Sequence, residues 1–280
     1  MITGMADLGT DTAVEQVDEG RFRATPSSAW NIWGPMGGYI ASFALRAVGA
    51  TIPEHEPAAF SCHYLGVARP EPMDIEVRSA KPGRTAASAT VSITQAGRHI
   101  LNAMVWSVAG VEGLEHDEAV PPDVPGPGEL PSLDALGRRE GSRAVIPFWD
   151  NLESKPVDEV TSRPDGPLPA VWRQWLRFRE VPTFADPWVD ATRSLVLVDL
   201  PSWPAAVRPH AWQRPAFTAP TLDLNVAFHR PATDEPWLLC DGSAPVSTRG
   251  LFGWHASVWS PSGKLHASGG GQCLYRRMPA

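Results

Sequence analysis

Residues 34–50 read GPMGGYIASFALRAVGA, and this stretch sets the architecture. Tyr39, Phe43 and Ala47 fall on one helical stripe, and Ile40, Ala44 and Val48 fall on the stripe beside it. Leu45 widens the apolar surface, so the spacing predicts a helix buried nearly all round. Gly34, Pro35, Gly37 and Gly38 crowd its entrance. Glycine there lets another backbone or a ligand come close to the first turn.

A buried helix needs a sheet to bury it. The segments that follow supply one: AAFSCHYLGVARP, MDIEVRSAKPG, RTAASATVSITQAGR and HILNAMVWSVAG alternate as strands, with turns at RPEP, KPGR and QAGR. One helix followed by an antiparallel meander is an α+β arrangement. Residues 112–145 are rich in Pro, Gly and acidic side chains and read as a linker dividing the chain into modules at 1–111 and 146–280. Beyond it, strands are predicted at 146–160 and 170–181, and a helix over 186–200 on the rhythm Trp188, Ala191/Thr192, Leu195 and Val198. Four more strands close the chain: TLDLNVAFHRP, PWLLCDGSAP, GLFGWHASVWSPSGK and LHASGGGQCLYRR.

Helix then four strands thus occurs twice. LGVARP aligns with VAFHRP, which sets Asp223 opposite Cys62, and QAGR aligns with PSGK, which sets Gln272 opposite Trp106. A group present in one copy alone is not required by a shared fold. Asp223 and Gln272 are both of that kind, and aspartate is depleted in strands and costly to bury unpaired.

The composition narrows the chemistry. A net charge of −7 argues against a broad nucleic-acid surface. Cys62, Cys240 and Cys273 are too few and wrongly spaced for a disulfide framework or a zinc site. His63, His229 and His255 are scattered, so no metal is expected. The 12 Trp residues read chiefly as packing groups, and Arg69 and Arg230, which end matching strands, as structural. No segment has the ~20 apolar residues of a membrane span. The first residues carry neither a basic head nor an apolar run, which makes the cytoplasm the expected location.

With GPMGGY opening the first helix, the tandem modules resemble the double hotdog fold, in which each long helix is wrapped by an antiparallel sheet. More narrowly, LDLNVAFHRP, PWLLCDGSAPVSTRG and WSPSGKLHASGGGQ resemble the C-terminal half of the type II acyl-CoA thioesterases. The resemblance implies hydrolysis of acyl-CoA to free acid and CoA by an activated water, with no metal or redox cofactor. It also implies association of the double modules into a homo-oligomer. It places the water-activating Asp on Asp223, the hydroxyl on Ser243, six residues before Arg249-Gly250, and the Gln on Gln272. Ser243 stands where a Thr is usual, and Ser247 and Thr248 offer the same hydroxyl nearby. Gln272 lies one residue further from Ala267-Ser268 than the pattern has it, and a β-bulge at Gly269–Gly271 would absorb the difference.

These residue types suit thioester hydrolysis. A carboxylate accepts a proton from water or orients it, and Ser and Gln fix the water's remaining lone pairs and hydrogens. Backbone N–H groups at a helix N-terminus suit the developing oxyanion, which points to Gly37 and Gly38. Two other readings of the sequence are a non-catalytic acyl- or polyketide-binding protein that keeps the fold, and a hotdog hydratase. The first helix lacks the His and acidic partner that a hydratase presents.

Overall fold

The structure, a computed structural model, describes residues 6–81, 83–135, 146–158, 166–210 and 217–278. Of the expected elements, residues 136–145 of the linker and 159–160 of a strand lie outside them. The helix read from residues 34–50 is α2 (Gly37–Thr51). It is buried from Gly38 to Leu45 and again at Ala47, Val48 and Gly49. Its counterpart α3 (Pro187–Asp199) is buried from Trp188 to Asp199. The two helices pack side by side. A Cβ on Gly38 would fall 2.4 Å from the Leu195 carbonyl oxygen, and one on Gly49 would fall 2.5 Å from the Trp188 ring. The entrance of α2 therefore lies against the exit of α3, and the helices run antiparallel.

One large sheet wraps both. The N-terminal half contributes β1 (Glu15–Asp18), β2 (Arg21–Ala24), β3 (Glu56–Tyr64), β4 (Met73–Lys81), β5 (Ala86–Gln95) and β6 (Arg98–Val108). The C-terminal half contributes β7 (Leu152–Pro156), β8 (Val171–Phe178), β10 (Thr221–Phe228), β11 (Leu238–Thr248), β12 (Leu251–Trp259) and β13 (Leu265–Leu274). Short elements complete the set: α1 (Leu8–Asp11), α4 (Ser202–Val207) and the paired β9 (Phe217–Thr218) and β14 (Arg276–Arg277). The strand order is β1-β2-β4-β5-β6-β3-β10-β13-β12-β11-β8-β7, in which β6-β3 and β10-β13 meet at the centre and every pairing is antiparallel. The order runs in the same pattern from either edge. The strands β1, β2 and β9 and the helices α1 and α4 lie outside the elements expected from the sequence, whereas β14 falls at the end of the expected LHASGGGQCLYRR segment.

Period-two burial tells the two faces of the sheet apart. On β10, Leu224 and Val226 join the core, while Asp223 and Asn225 are turned to the other side. On β6, Ala103, Val105 and Ser107 are buried while Met104, Trp106 and Val108 are exposed. The segment expected as a linker crosses the outer face of the C-terminal half. Its residues Ala119, Val124 and Leu130 pack on Trp175, Leu239 and Trp259. The Trp175 indole donates to the Pro125 carbonyl at 2.9 Å, and Arg230 pairs with Asp117 at 2.8 Å.

Candidate active site

Asp223 and Gln272 are direct register partners across β10 and β13. The Gln272 backbone N–H donates to Asp223 Oδ1 at 3.1 Å, and the Asn225 side-chain amide donates to Oδ2 at 2.9 Å. This carboxylate is half-buried, on the outer face of the sheet, with Gln272 exposed beside it. Ser243 shares the face but not the neighbourhood. It pairs with His255 of β12, whereas Gln272 pairs with Gly253, so β12 separates them. Two strand widths are roughly 10 Å, and Asp223 is one strand further. Among the alternative hydroxyls, Ser247 donates to the Tyr275 hydroxyl at 3.3 Å at the far end of β11.

The bulge expected at Gly269–Gly271 is elsewhere. Pairing of β10 with β13 is continuous from Asp223–Gln272 to Phe228–Ala267, and the irregularity falls between Thr221 and Asp223. The glycines serve close approach instead: a Cβ on Gly269 or Gly271 would meet the Asn225 or Asp223 carbonyl oxygen at 2.0 Å. The shift in β10 reverses which residues face inward. Thr221 points into the core and Asp223 points out of it.

Gly37 and Gly38 open α2 on the inner side. Their N-cap, Met36, supplies no side-chain acceptor, and the first turn holds no acidic residue. The turn is capped from another element. Asp199, the last residue of α3, accepts the Gly38 N–H at 2.9 Å through Oδ2 and the Thr221 hydroxyl at 3.0 Å through Oδ1. Asp199 is 5% exposed. Burial pushes its carboxyl up to about 6, against the lowering pull of Gly38 N–H and Thr221. The Tyr64 hydroxyl lies 3.2 Å from where a Gly37 Cβ would be, with the Cys62 thiol as its side-chain neighbour. Burial holds the Tyr64 phenol and the Cys62 thiol above their ordinary ranges and pushes the Cys273 thiol up to about 12.

The related end of the helix pair is filled. α3 is capped by its own Asp186, whose Oδ1 accepts from Trp188 N–H at 2.8 Å, and the Trp188 indole packs on Gly49 and donates to the His55 carbonyl at 2.7 Å. Gly38→Ala places a methyl against the backbone of Leu195 and Val196, which no rotamer can relieve. We expect a loss of about 1–3 kcal/mol of stability, the range of overpacking, read from urea unfolding.

The sequence reading missed Asp199 and Thr221. One signal was available. A carboxylate in the last turn opposes its own helix dipole, so Asp199 has to be held by something outside α3. Among the described residues, no group of three or more His, Cys, Asp or Glu is placed to hold a metal ion, and no helix is long and apolar enough to cross a membrane.

Comparison with known proteins bears on this site. Residues 26–108 match the family model for the acyl-CoA thioesterase N-terminal domain, and residues 121–270 match that for the acyl-CoA thioesterase C-terminal domain. Human acyl-coenzyme A thioesterase 8 is 23% identical over 273 residues, covering 90% of this chain and 83% of that protein. Acyl-CoA thioesterase II TesB2 from Mycobacterium marinum superposes with a TM-score of 0.78 at 22% identity, over 98% of this chain and 99% of that one. A hot dog fold protein from Alicyclobacillus acidocaldarius superposes at 0.79 with 24% identity, over 98% and 100%. The two structures share the hotdog fold with this chain. Matched by the family's N-terminal model over the first helix and its strands, and by its C-terminal model over more than half of its length, the chain belongs to the acyl-CoA thioesterase family.

Proposed function

We propose that this chain hydrolyses acyl-CoA thioesters to free acid and CoA by direct attack of water. The architecture is read as two hotdog modules, 1–111 and 146–280, joined by residues 112–145. The strand order, in which each half contributes six strands about the β3–β10 contact, supports that reading. The thioester carbonyl binds at the first turn of α2, where Gly37 and Gly38 offer N–H groups at the positive end of the helix dipole. One observation carries the proposal: the Gly38 N–H already holds a negatively ionisable oxygen, Asp199 Oδ2, at 2.9 Å. The developing oxyanion is an oxygen of the same kind.

Asp223 orients water at the β10–β13 ladder through the lone pairs that Gln272 N–H and the Asn225 amide leave free. The Gln272 side chain is the neighbouring donor, and Ser243 the hydroxyl further along the same face. Asp223→Asn keeps the shape and removes the charge. Its expected effect is a fall in turnover on the order of 10²-fold, measured as free thiol released from an acyl-CoA series. Equal rates in both proteins would remove Asp223 from the mechanism.

A second reading is an acyl-CoA-binding protein without turnover. The separation of Ser243 from Asp223 across two intervening strands favours it. Tight binding without thiol release would establish it.

A further inference from the structure

We infer that Arg249, Arg276 and Arg277 hold the phosphate groups of the CoA half of the substrate, at the edge of the sheet beside Asp223 and Gln272. The inference rests on the hydrolysis reading above and adds to it the place where the nucleotide end of the thioester is anchored.

The chain carries a net charge of −7, so partners for a guanidinium are plentiful. Among the described residues nine arginines have one, from Arg23 with Asp74 to Arg230 with Asp117. Arg249, Arg276 and Arg277 are exposed, and none of them pairs with a carboxylate among the described residues. The fold nevertheless gathers all three. Arg249 and Gly250 form the turn between β11 and β12, and the Tyr275 N–H donates to the Gly250 carbonyl at 2.8 Å. Arg249 therefore lies beside the segment that leaves β13 through Arg276. Arg277 follows, its guanidinium 5.9 Å from the centre of the Phe217 ring. Like charges on neighbouring strands destabilise a sheet, so this grouping opposes folding unless an anion meets it.

Arg249 is the most informative of the three. Its φ is +52° and that of Gly250 is +79°, as in a type I′ hairpin turn, whose positions favour Asn, Asp and Gly. The turn does not ask for a long cation. Ala96-Gly97, between β5 and β6, adopts the same pair of angles, +48° and +75°, with a methyl group alone. An arginine kept where the backbone penalises its Cβ points to a task for the side chain.

Distance selects the ligand. Asp223 is the register partner of Gln272, and Arg276 lies four residues beyond Gln272, a span of at most ~14 Å. The pantetheine arm of CoA, two amide units between sulfur and diphosphate, matches roughly four residues of extended backbone in length. A thioester held beside Asp223 thus brings the diphosphate to Arg276 and leaves the 3′-phosphate within the spread of its neighbours. The planar guanidinium fork suits phosphate oxygens, which it binds two at a time. The far end of β10 is less suited. A cavity of about 370 Å³ there is lined by Asp117 and Glu118 as well as His229 and Arg230, and Asp117 already takes the guanidinium.

The test compares two substrates with one acyl group, the CoA thioester and the pantetheine thioester, which carries no phosphate. The variants are Arg249→Gly, which removes the cation and suits the positive φ, together with Arg276→Gln and Arg277→Gln. Arg21→Ala, at an exposed position on β2 far from the site, is the control. Each of the three should raise KM for the CoA thioester about 10-fold, the worth of one hydrogen bond to a charged group, with kcat unchanged. The pantetheine thioester should not register them, and Arg21→Ala should alter neither substrate. In the unaltered chain, KM for the CoA thioester alone should rise with ionic strength. Equal effects on both thioesters, or no effect on the CoA thioester, overturn the inference. Calorimetric titration with CoA itself reads the anchor without turnover: the same substitutions should weaken binding by a similar factor, and unchanged binding overturns the inference. Absence of thiol release from both thioesters in the unaltered chain overturns the hydrolysis reading alone, and the calorimetric result then decides the phosphate site.

Discussion

Arg193→Ala is expected to lose about 3–5 kcal/mol of stability, the range measured when one partner of a buried ion pair is removed. Arg193 is 0% exposed in the middle of α3. Its Nε donates to Asp190 Oδ1 at 3.0 Å, one turn back on the same helix, and Nη2 makes a second, shorter bond to the same oxygen. Nη1 donates to the carbonyls of Pro182 at 2.8 Å and Glu235 at 2.9 Å, and Nη2 also reaches the Ala232 carbonyl. Asp190 Oδ2 in turn accepts the Ala232 N–H at 2.6 Å. The pair therefore clasps two loops to the helix: the one leading into α3 and the HRPATDEP segment after β10. Truncation leaves a buried carboxylate without its cation and three carbonyls without a donor. The check is urea unfolding followed by tryptophan fluorescence. A loss below 1 kcal/mol would mean that the cluster relaxes or hydrates at little cost.

Asp199→Asn is expected to act in the opposite sense on stability. Asp199 has a folded-state value of about 6, above the ordinary aspartate range of the unfolded chain. Between the two values the native state holds a proton that the unfolded state has released, so stability falls as pH rises. The contribution is fully present below the unfolded value and is lost by the time pH passes about 6. Asn cannot ionise and does not undergo this loss. The stability of Asp199→Asn relative to the unaltered chain should thus rise by about 2 kcal/mol between pH 4 and pH 7, less than the full free-energy equivalent of the shift because the unfolded-state group is already about half ionised at pH 4. Urea unfolding at the two pH values measures it. A constant difference would show that Asp199 ionises alike in both states.

Much of the fold was legible in the residues because its signals are local. The rhythm from Tyr39 to Val48 could come only from a buried helix, and the alternation in TLDLNVAFHRP only from a strand with one apolar face. The match of LGVARP to VAFHRP carried the repeat, and the structure places those two strands side by side at the centre of the sheet. The pairing of Asp223 with Gln272 came from the structure, which aligns β10 and β13 without the bulge expected at Gly269–Gly271.

What the residues alone did not yield depends on contacts between distant segments. A single irregularity between Thr221 and Asp223 decides which of the two side chains enters the core, and sequence periodicity does not register a one-residue shift inside a strand. Asp190, Arg193 and Asp199 sit on a helix with no exposed face: residues 188–199 are all buried, because the sheet wraps one side and α2 closes the other. The charges on it are matched by carbonyls and N–H groups from elements 11 to 161 residues away. The sequence by itself determined the two long helices, the core strands and the family. Which carboxylate meets the first turn of α2 was decided by the tertiary structure, because that contact joins the end of one helix to the start of another across the whole linker.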